Sequence, residues 1–162
     1  MVSSFFDLTQ HIMIWKPSTT VAAVIEQNGK YLLVEEKPEP DSDLLLNQPA
    51  GHLDPGESLL QGAVRETLEE TAYTFVPEYL IGIYQWHCKR ADTTYIRFAF
   101  AGSITHYDPH RTLDDGIVRA TWFNFSEISQ QIHRHRSPLV MQCILDHRNG
   151  KQFPLDLIKY YD

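Results

Sequence analysis

The chain has 162 residues, enough for one ordinary domain, and its 43% apolar and 12% aromatic content can bury a sizeable core. With 22% charged residues it fits none of the collagen-like, coiled-coil or wholly disordered classes. Fourteen Lys plus Arg against twenty-one Asp plus Glu leave a net charge of −7, which repels a nucleic-acid polymer but still admits a small phosphorylated ligand where a divalent metal reverses the local field.

At the amino terminus, MVSSFFDLTQHIMIW has no basic leader and carries Asp7 and His11 within its apolar stretch. No later run approaches the roughly 18 apolar residues a membrane span needs. Cys88 and Cys143 lie far apart without CxxC spacing, so neither a disulfide framework nor a structural zinc site is expected. These features point to a soluble cytoplasmic protein with no membrane partner.

Thr19 to Glu26 and Tyr31 to Glu36 are aliphatic and β-branched runs separated by Gln27-Asn28-Gly29-Lys30, the signature of a β-hairpin. The segment Lys37 to Asp43, with two prolines and no large apolar side chain, predicts a loop. Leu44 to Pro49 reads as a short strand that Pro49 ends or confines to an edge, leading to Gly51. From Ser58 the apolar period changes from two to 3.6. Ser58 with Gln61 matches a capping box, and Glu57 suits the positive end of the helix dipole. At 100° per residue, Leu60, Ala63, Val64, Thr67 and Leu68 fall on one arc and Glu66, Glu69 and Glu70 on the other side. Leu80 to Trp86, Thr94 to Phe100 and Ile117 to Phe123 predict three further strands. Ser137-Pro138 opens a late helix that runs to about His147 and stops near Asn149-Gly150. No internal repeat or interdomain linker is evident.

Three glutamates at i, i+3 and i+4 cost a helix roughly 0.2–0.5 kcal/mol per like-charged pair, so helix stability gives no reason for them. A divalent cation would neutralise them, and carboxylate oxygens without Cys or His partners favour Mg2+, with Mn2+ as a substitute, over zinc. A solvated acidic face is the alternative reading of Glu-x-x-Glu-Glu taken alone.

The longer stretch from Gly51 to Tyr73, GHLDPGESLLQGAVRETLEETAY, resembles the Nudix box: Gly51, Glu57, Arg65, Glu66, Glu69 and Glu70 all fall on its positions. Thr67 stands where an aliphatic residue is usual, and Ala72 where the box ends in glycine. A left-handed cap at Ala72 would cost about 1 kcal/mol relative to glycine, so another helix ending is equally open.

The resemblance implies an α/β fold, a Nudix α/β/α sandwich with a mixed curved sheet, and Mg2+-dependent hydrolysis of a phosphoanhydride. It also implies that Glu66, Glu69 and Glu70 hold the metal with the Gly51 carbonyl, that Arg65 and Glu57 brace loop against helix, and that a box glutamate or a later acid activates water. Asp114 and Asp115, in LDDGI, are candidates for the later acid; an ordinary turn is their other reading.

Outside the box, LNQPAGHLD at 46–54, YQW at 84–86, IRFAFA at 96–101, RSPLV at 136–140 and FPLDLI at 153–158 resemble one bacterial phosphatase branch of that family. That branch releases orthophosphate from nucleoside tri- and diphosphates and from thiamine pyrophosphate or its pyrimidine pyrophosphate precursor. A pyrophosphate-releasing Nudix enzyme and a non-catalytic nucleotide-sensing domain are the alternatives.

Trp86, with Tyr84 or Tyr95, is a candidate platform for a flat heterocycle, and strand alternation puts Tyr84 and Trp86 on one face. His52 and Arg136 are candidate phosphate contacts, Arg136 closing the run His133-Arg134-His135-Arg136 before a helix start. His106 and His110 flank an Asp-Pro turn and make no convincing metal pair. A monomer or weak homodimer acting on a small phosphorylated substrate is expected.

Overall fold

Val21, Ala23 and Ile25 alternate with Thr20, Ala22 and Val24, and all six are buried, which is the pattern of a strand covered on both faces. In the computed structural model, which describes residues 15–161, this run is β1 (Ser18–Gln27), at the centre of a seven-stranded sheet. The segment 1–14, with its Asp7 and His11, lies outside the described residues.

The Asn28-Gly29 turn, with both residues at positive φ, returns the chain into β2 (Lys30–Glu36) as expected. The two strands pair only at Glu26–Tyr31 and Gln27–Lys30 before they diverge. The opening is bridged by the next segment. It pairs with β2 as β3 (Leu45–Asn47), crosses at Gln48-Pro49, and pairs with β1 as β4 (Ala50–His52). The single strand expected over 44–49 is therefore replaced by two short ones, β3 and β4, on either side of Gln48-Pro49.

After α1 (Leu59–Thr71) come β5 (Tyr73–Cys88) and β6 (Thr93–Tyr107), each far longer than its predicted segment. They form a ladder with register shifts at Thr74/Phe75, Pro77/Tyr79 and Leu80/Gly82, and such bulges curve a sheet and accommodate Pro77 in its edge strand. Because β6 runs parallel to β1 while its other partner is antiparallel, the sheet is mixed. β7 (Ile117–Asn124) adds to the far side of β2.

A short helix, α2 (Phe125–Gln130), follows with a full capping box between Asn124 and Glu127; the signal stood in the sequence but was not read. The late helix α3 (Leu139–Arg148) has Pro138 at its N-cap, one residue later than expected, while Ser137 Oγ accepts the Leu139 N–H at 3.3 Å.

Two apolar clusters lie on opposite faces of the sheet. Val21, Ala23, Ile25, Leu32 and Phe100 meet Ala63 of α1, whereas Val24, Leu33, Ala99 and Ala101 meet Ile128 of α2 and Leu139, Cys143 and Ile144 of α3. Helices thus cover both sides, and the α/β/α expectation holds. Leu155 and Ile158 pack onto the α1 side, where the carboxy-terminal strap also pairs Phe153 with Leu80 through two 2.9 Å backbone bonds.

Candidate active site

Helix α1 starts where Ser58 and Gln61 complete their capping box. Its buried stripe is not the predicted one. Ala63 and Thr67 are fully buried, but so are Glu66 and Glu70, at 8% and 7% exposure, while Leu60, Val64 and Leu68 are only half-buried. The helix is rotated so that its acidic side leans on the sheet rather than on water.

Arg65 organises this side. Its Nε and Nη2 grip Glu57 at 3.0 and 2.7 Å, Nη1 reaches Glu66 at 2.8 Å and Glu69 at 2.9 Å, and Nη2 also donates to the His52 carbonyl at 2.9 Å. Asp54 stands 3.6 Å away. Gly62 makes room, because a Cβ there would come within 2.8 Å of Glu57 Oε1. The Glu57 hydrogen bonds raise the guanidinium's pKa further, and Arg65 in turn holds Glu57 below the ordinary carboxylate range. The bracing expected of Arg65 and Glu57 is therefore a bidentate fork that ties box loop to helix.

β4 packs directly against the glutamates. Glu70 Oε2 accepts the Ala50 N–H at 2.8 Å, and a Cβ on Gly51 would lie 2.3 Å from the Glu66 carboxylate, so a side chain larger than hydrogen is excluded. Burial pushes Glu66 up and Glu70 well up, with Arg65 countering the rise at Glu66 and the Ala50 amide countering it at Glu70.

One guanidinium faces four carboxylates, Asp54, Glu57, Glu66 and Glu69, with Glu70 close enough to feel Glu66. The three box glutamates do not converge on one point among the described residues: Arg65 holds Glu66 and Glu69 while the Ala50 amide holds Glu70. Even so, the group suits a hard divalent cation. Its donors are all carboxylate oxygens, two of them desolvated without a full counter-charge, beside a backbone stripped of side chain at Gly51.

Two cavities flank this cluster. The larger, about 630 Å³, is walled by Gly51 and His52 of β4, by Trp86 and Tyr95, and by Arg97 and Arg136, among others. The second, about 560 Å³, contains Glu70, Asp114, Asp115 and Glu36. The Asp114 N–H is tied to the Glu69 carbonyl at 3.1 Å, which sets the LDDGI turn against the end of α1. Pro38 and Glu39 of the predicted loop line both cavities.

Trp86, His52 and Arg136 thus line one space and Asp115 the other, but Tyr84 lines neither. Although it shares a face with Trp86, Tyr84 lies beneath α3, where its hydroxyl donates to Asp146 Oδ2 at 2.9 Å; burial drives its pKa up and keeps it a phenol. The partner of Trp86 is Tyr95, stacked with ring centroids 5.7 Å apart and an interplanar angle of 21°. The basic run is divided: Arg134 bonds Glu35 at 2.6 Å and His135 Nε2 meets the Ile128 carbonyl at 3.1 Å, so only Arg136 of the four residues faces the cavity.

The NUDIX domain family model matches residues 15–143. The chain belongs to the Nudix family. It is 37% identical to phosphatase NudJ of Escherichia coli K12 over 145 residues, covering 90% of this chain and 92% of NudJ. A NUDIX hydrolase from Nitrosomonas europaea superposes with TM-score 0.88 and 57% identity over 90% of this chain and 98% of that one. A MutT NUDIX hydrolase from Burkholderia pseudomallei shares the fold, with TM-score 0.68 and 16% identity over 82% and 98% of the two chains. As a Nudix hydrolase the chain acts on phosphoanhydride bonds.

Several residues at this Nudix site were missed in the sequence. Glu36 and Thr20 come from two different strands and carry no motif, while Asn47 and Arg97 lie within LNQPAGHLD and IRFAFA, whose resemblance to the phosphatase branch singles out neither residue. Alternation alone could have drawn attention to Arg97, since a lone arginine between Ile96 and Phe98 must either emerge or be paired.

Proposed function

We propose that the chain is a magnesium-dependent phosphatase resembling NudJ, releasing orthophosphate from nucleoside tri- and diphosphates and from thiamine pyrophosphate or its pyrimidine pyrophosphate precursor. The observation that carries this reading is the burial of Glu66 and Glu70 against β4, within a carboxylate cluster that one guanidinium cannot neutralise. Glu66, Glu69 and Glu70, with the Gly51 carbonyl, are the residues that would hold Mg2+. Once bound, the ion offsets phosphate charge and lowers the pKa of water at that point.

The chain's own residues do the rest. Glu57 and Arg65 keep the box loop docked on α1, so that Gly51 stays beside Glu66. Glu70, with Oε2 committed to the Ala50 amide, would use Oε1 to take a proton from the attacking water; Asp114 and Asp115, which line the second cavity with it, are the other candidate acids. Arg136 faces the larger cavity and supplies a guanidinium for the phosphate chain, while Trp86 and Tyr95 offer an aromatic surface for the organic half.

Among the described residues no helix is long and apolar enough to cross a membrane. Product analysis with nucleoside triphosphates and thiamine pyrophosphate, with Mg2+ and with EDTA, tests the proposal. The expected outcome is Mg2+-dependent orthophosphate. Pyrophosphate as the only inorganic product from a triphosphate rejects the phosphatase reading.

A further inference from the structure

Among the described residues four buried side-chain atoms have no hydrogen-bond partner: Thr20 Oγ1, Glu36 Oε1, Asn47 Oδ1 and Arg97 Nε. All four residues line the larger cavity. Buried polar groups are normally satisfied, so four orphans in one wall are not a property of packing at large. Thr20, Asn47 and Arg97 are 6%, 5% and 7% exposed, so each side chain is largely withdrawn from solvent.

The topology explains how they meet. Thr20 of β1 is the register partner of Arg97 of β6, whereas Glu36 ends β2 and Asn47 ends β3, on the other side of the gap where β1 and β2 part. Arg97 is held from behind: Gln48 is fixed by its 2.8 Å bond to the Val140 carbonyl and presents Oε1 to Arg97 Nη1 at 3.4 Å. Glu36 Oε1 has Arg136 Nε at 3.7 Å, an ion pair that leaves its hydrogen-bonding capacity unfilled.

The pattern has a polarity. Glu36 Oε1 and Asn47 Oδ1 are acceptors in need of N–H groups, and Arg97 Nε–H is a donor in need of a lone pair. A planar heterocycle with an exocyclic amino group next to an unprotonated ring nitrogen supplies both. Trp86 and Tyr95 are too close to admit a third ring between them, which takes about 7 Å at two van der Waals spacings, so the heterocycle lies against the outside of the pair.

We propose that Arg97, Glu36 and Asn47 form a specificity subsite that reads the amino and ring-nitrogen edge of the substrate's heterocycle, the edge that cytosine and adenine share and uracil and hypoxanthine reverse. This rests on the phosphohydrolase reading above and names the organic half that the box leaves open. Against uracil the wall meets an acceptor where it needs a donor and a donor where it needs an acceptor, and sites built on buried hydrogen bonds discriminate strongly against such a mismatch.

The test is kcat/KM for CTP against UTP and for ATP against ITP, with Mg2+, in the wild-type protein. A preference of ten-fold or more for the amino base in either pair is expected; ratios within two-fold in both overturn the subsite. Glu36→Gln, which adds a donor, and Asn47→Leu, which removes an acceptor, should each lower the preference at least five-fold. Folded variants with unmoved ratios overturn it as well. If no triphosphate is turned over, the nucleoside-triphosphatase part of the proposed function fails separately, and the subsite is read by the melting shift that CDP and UDP give the wild-type protein: a larger shift with CDP supports it and equal shifts overturn it.

Discussion

Glu70 is the most heavily buried of the three box glutamates, and its one hydrogen bond among the described residues is from a backbone N–H that a neutral amide oxygen could equally accept. Glu70→Gln should therefore keep the fold while removing the charge: turnover is expected to fall at least ~100-fold with the melting temperature without Mg2+ unchanged or raised. Wild-type-like turnover would show that Glu70 takes no part in the chemistry. Ala72, at the end of the same helix, does adopt the left-handed cap that the sequence left open, with φ 61° and its N–H on the Leu68 carbonyl at 3.0 Å. Because an L-residue is strained there, Ala72→Gly should stabilise the protein by about 1 kcal/mol, measured as a higher denaturation midpoint. The box positions were legible residue by residue because their spacing is local; Arg97, Glu36 and Asn47 were not, because what makes them notable is a missing partner, which only the assembled wall reveals.

At the scale of elements, α1 was predictable because its start is written in Ser58 and Gln61, which bond to each other across one turn. The three-residue β4 has no such signal. It exists because β1 diverges from β2 and leaves an edge that Ala50, Gly51 and His52 can pair with, and a run of that length has no periodicity of its own. Tyr84 and Trp86 share one face as expected, yet Tyr84 bonds Asp146 of α3 while Trp86 lines the larger cavity. For Trp86→Ala we expect KM for a nucleotide substrate to rise more than kcat falls, as befits a contact made equally in ground and transition states. Steady-state kinetics on the folded variant decide this; equal losses in both, with a lowered melting temperature, would make Trp86 a packing residue.

For the molecule as a whole, the two faces of the sheet do different work. The α1 side carries the charged box, and the α2 and α3 side closes over apolar residues and half-buries His135 and His147, both held below the ordinary histidine range by burial. A histidine depressed in the folded state leaves stability intact above its unfolded value of about 6.5 and lowers it as pH falls through that value toward the folded one. This histidine contribution should be lost between pH 7 and 5, while Glu36, Glu66 and Glu70, raised by burial, work in the opposite direction over the same range; the histidine part is isolated by His147→Gln, which keeps a polar group near the Tyr31 hydroxyl, 2.9 Å from His147 Nδ1, and should lose less than the wild-type protein as pH falls. Denaturant titrations at several pH values, compared between the two proteins, measure it; identical pH profiles would exclude His147 as a contributor.

The family, the metal-suited carboxylates and the helix that bears them were determined by sequence alone, since a capping box and an i, i+3, i+4 spacing put those groups together through one segment's own backbone. The rotation of α1 that buries Glu66 and Glu70, the crossing at Gln48-Pro49 and the polar wall of the larger cavity were decided only by tertiary structure. Each depends on strands remote in the chain meeting at the gap between β1 and β2, and the desolvation that gives those side chains their chemistry exists only once that gap has been closed over.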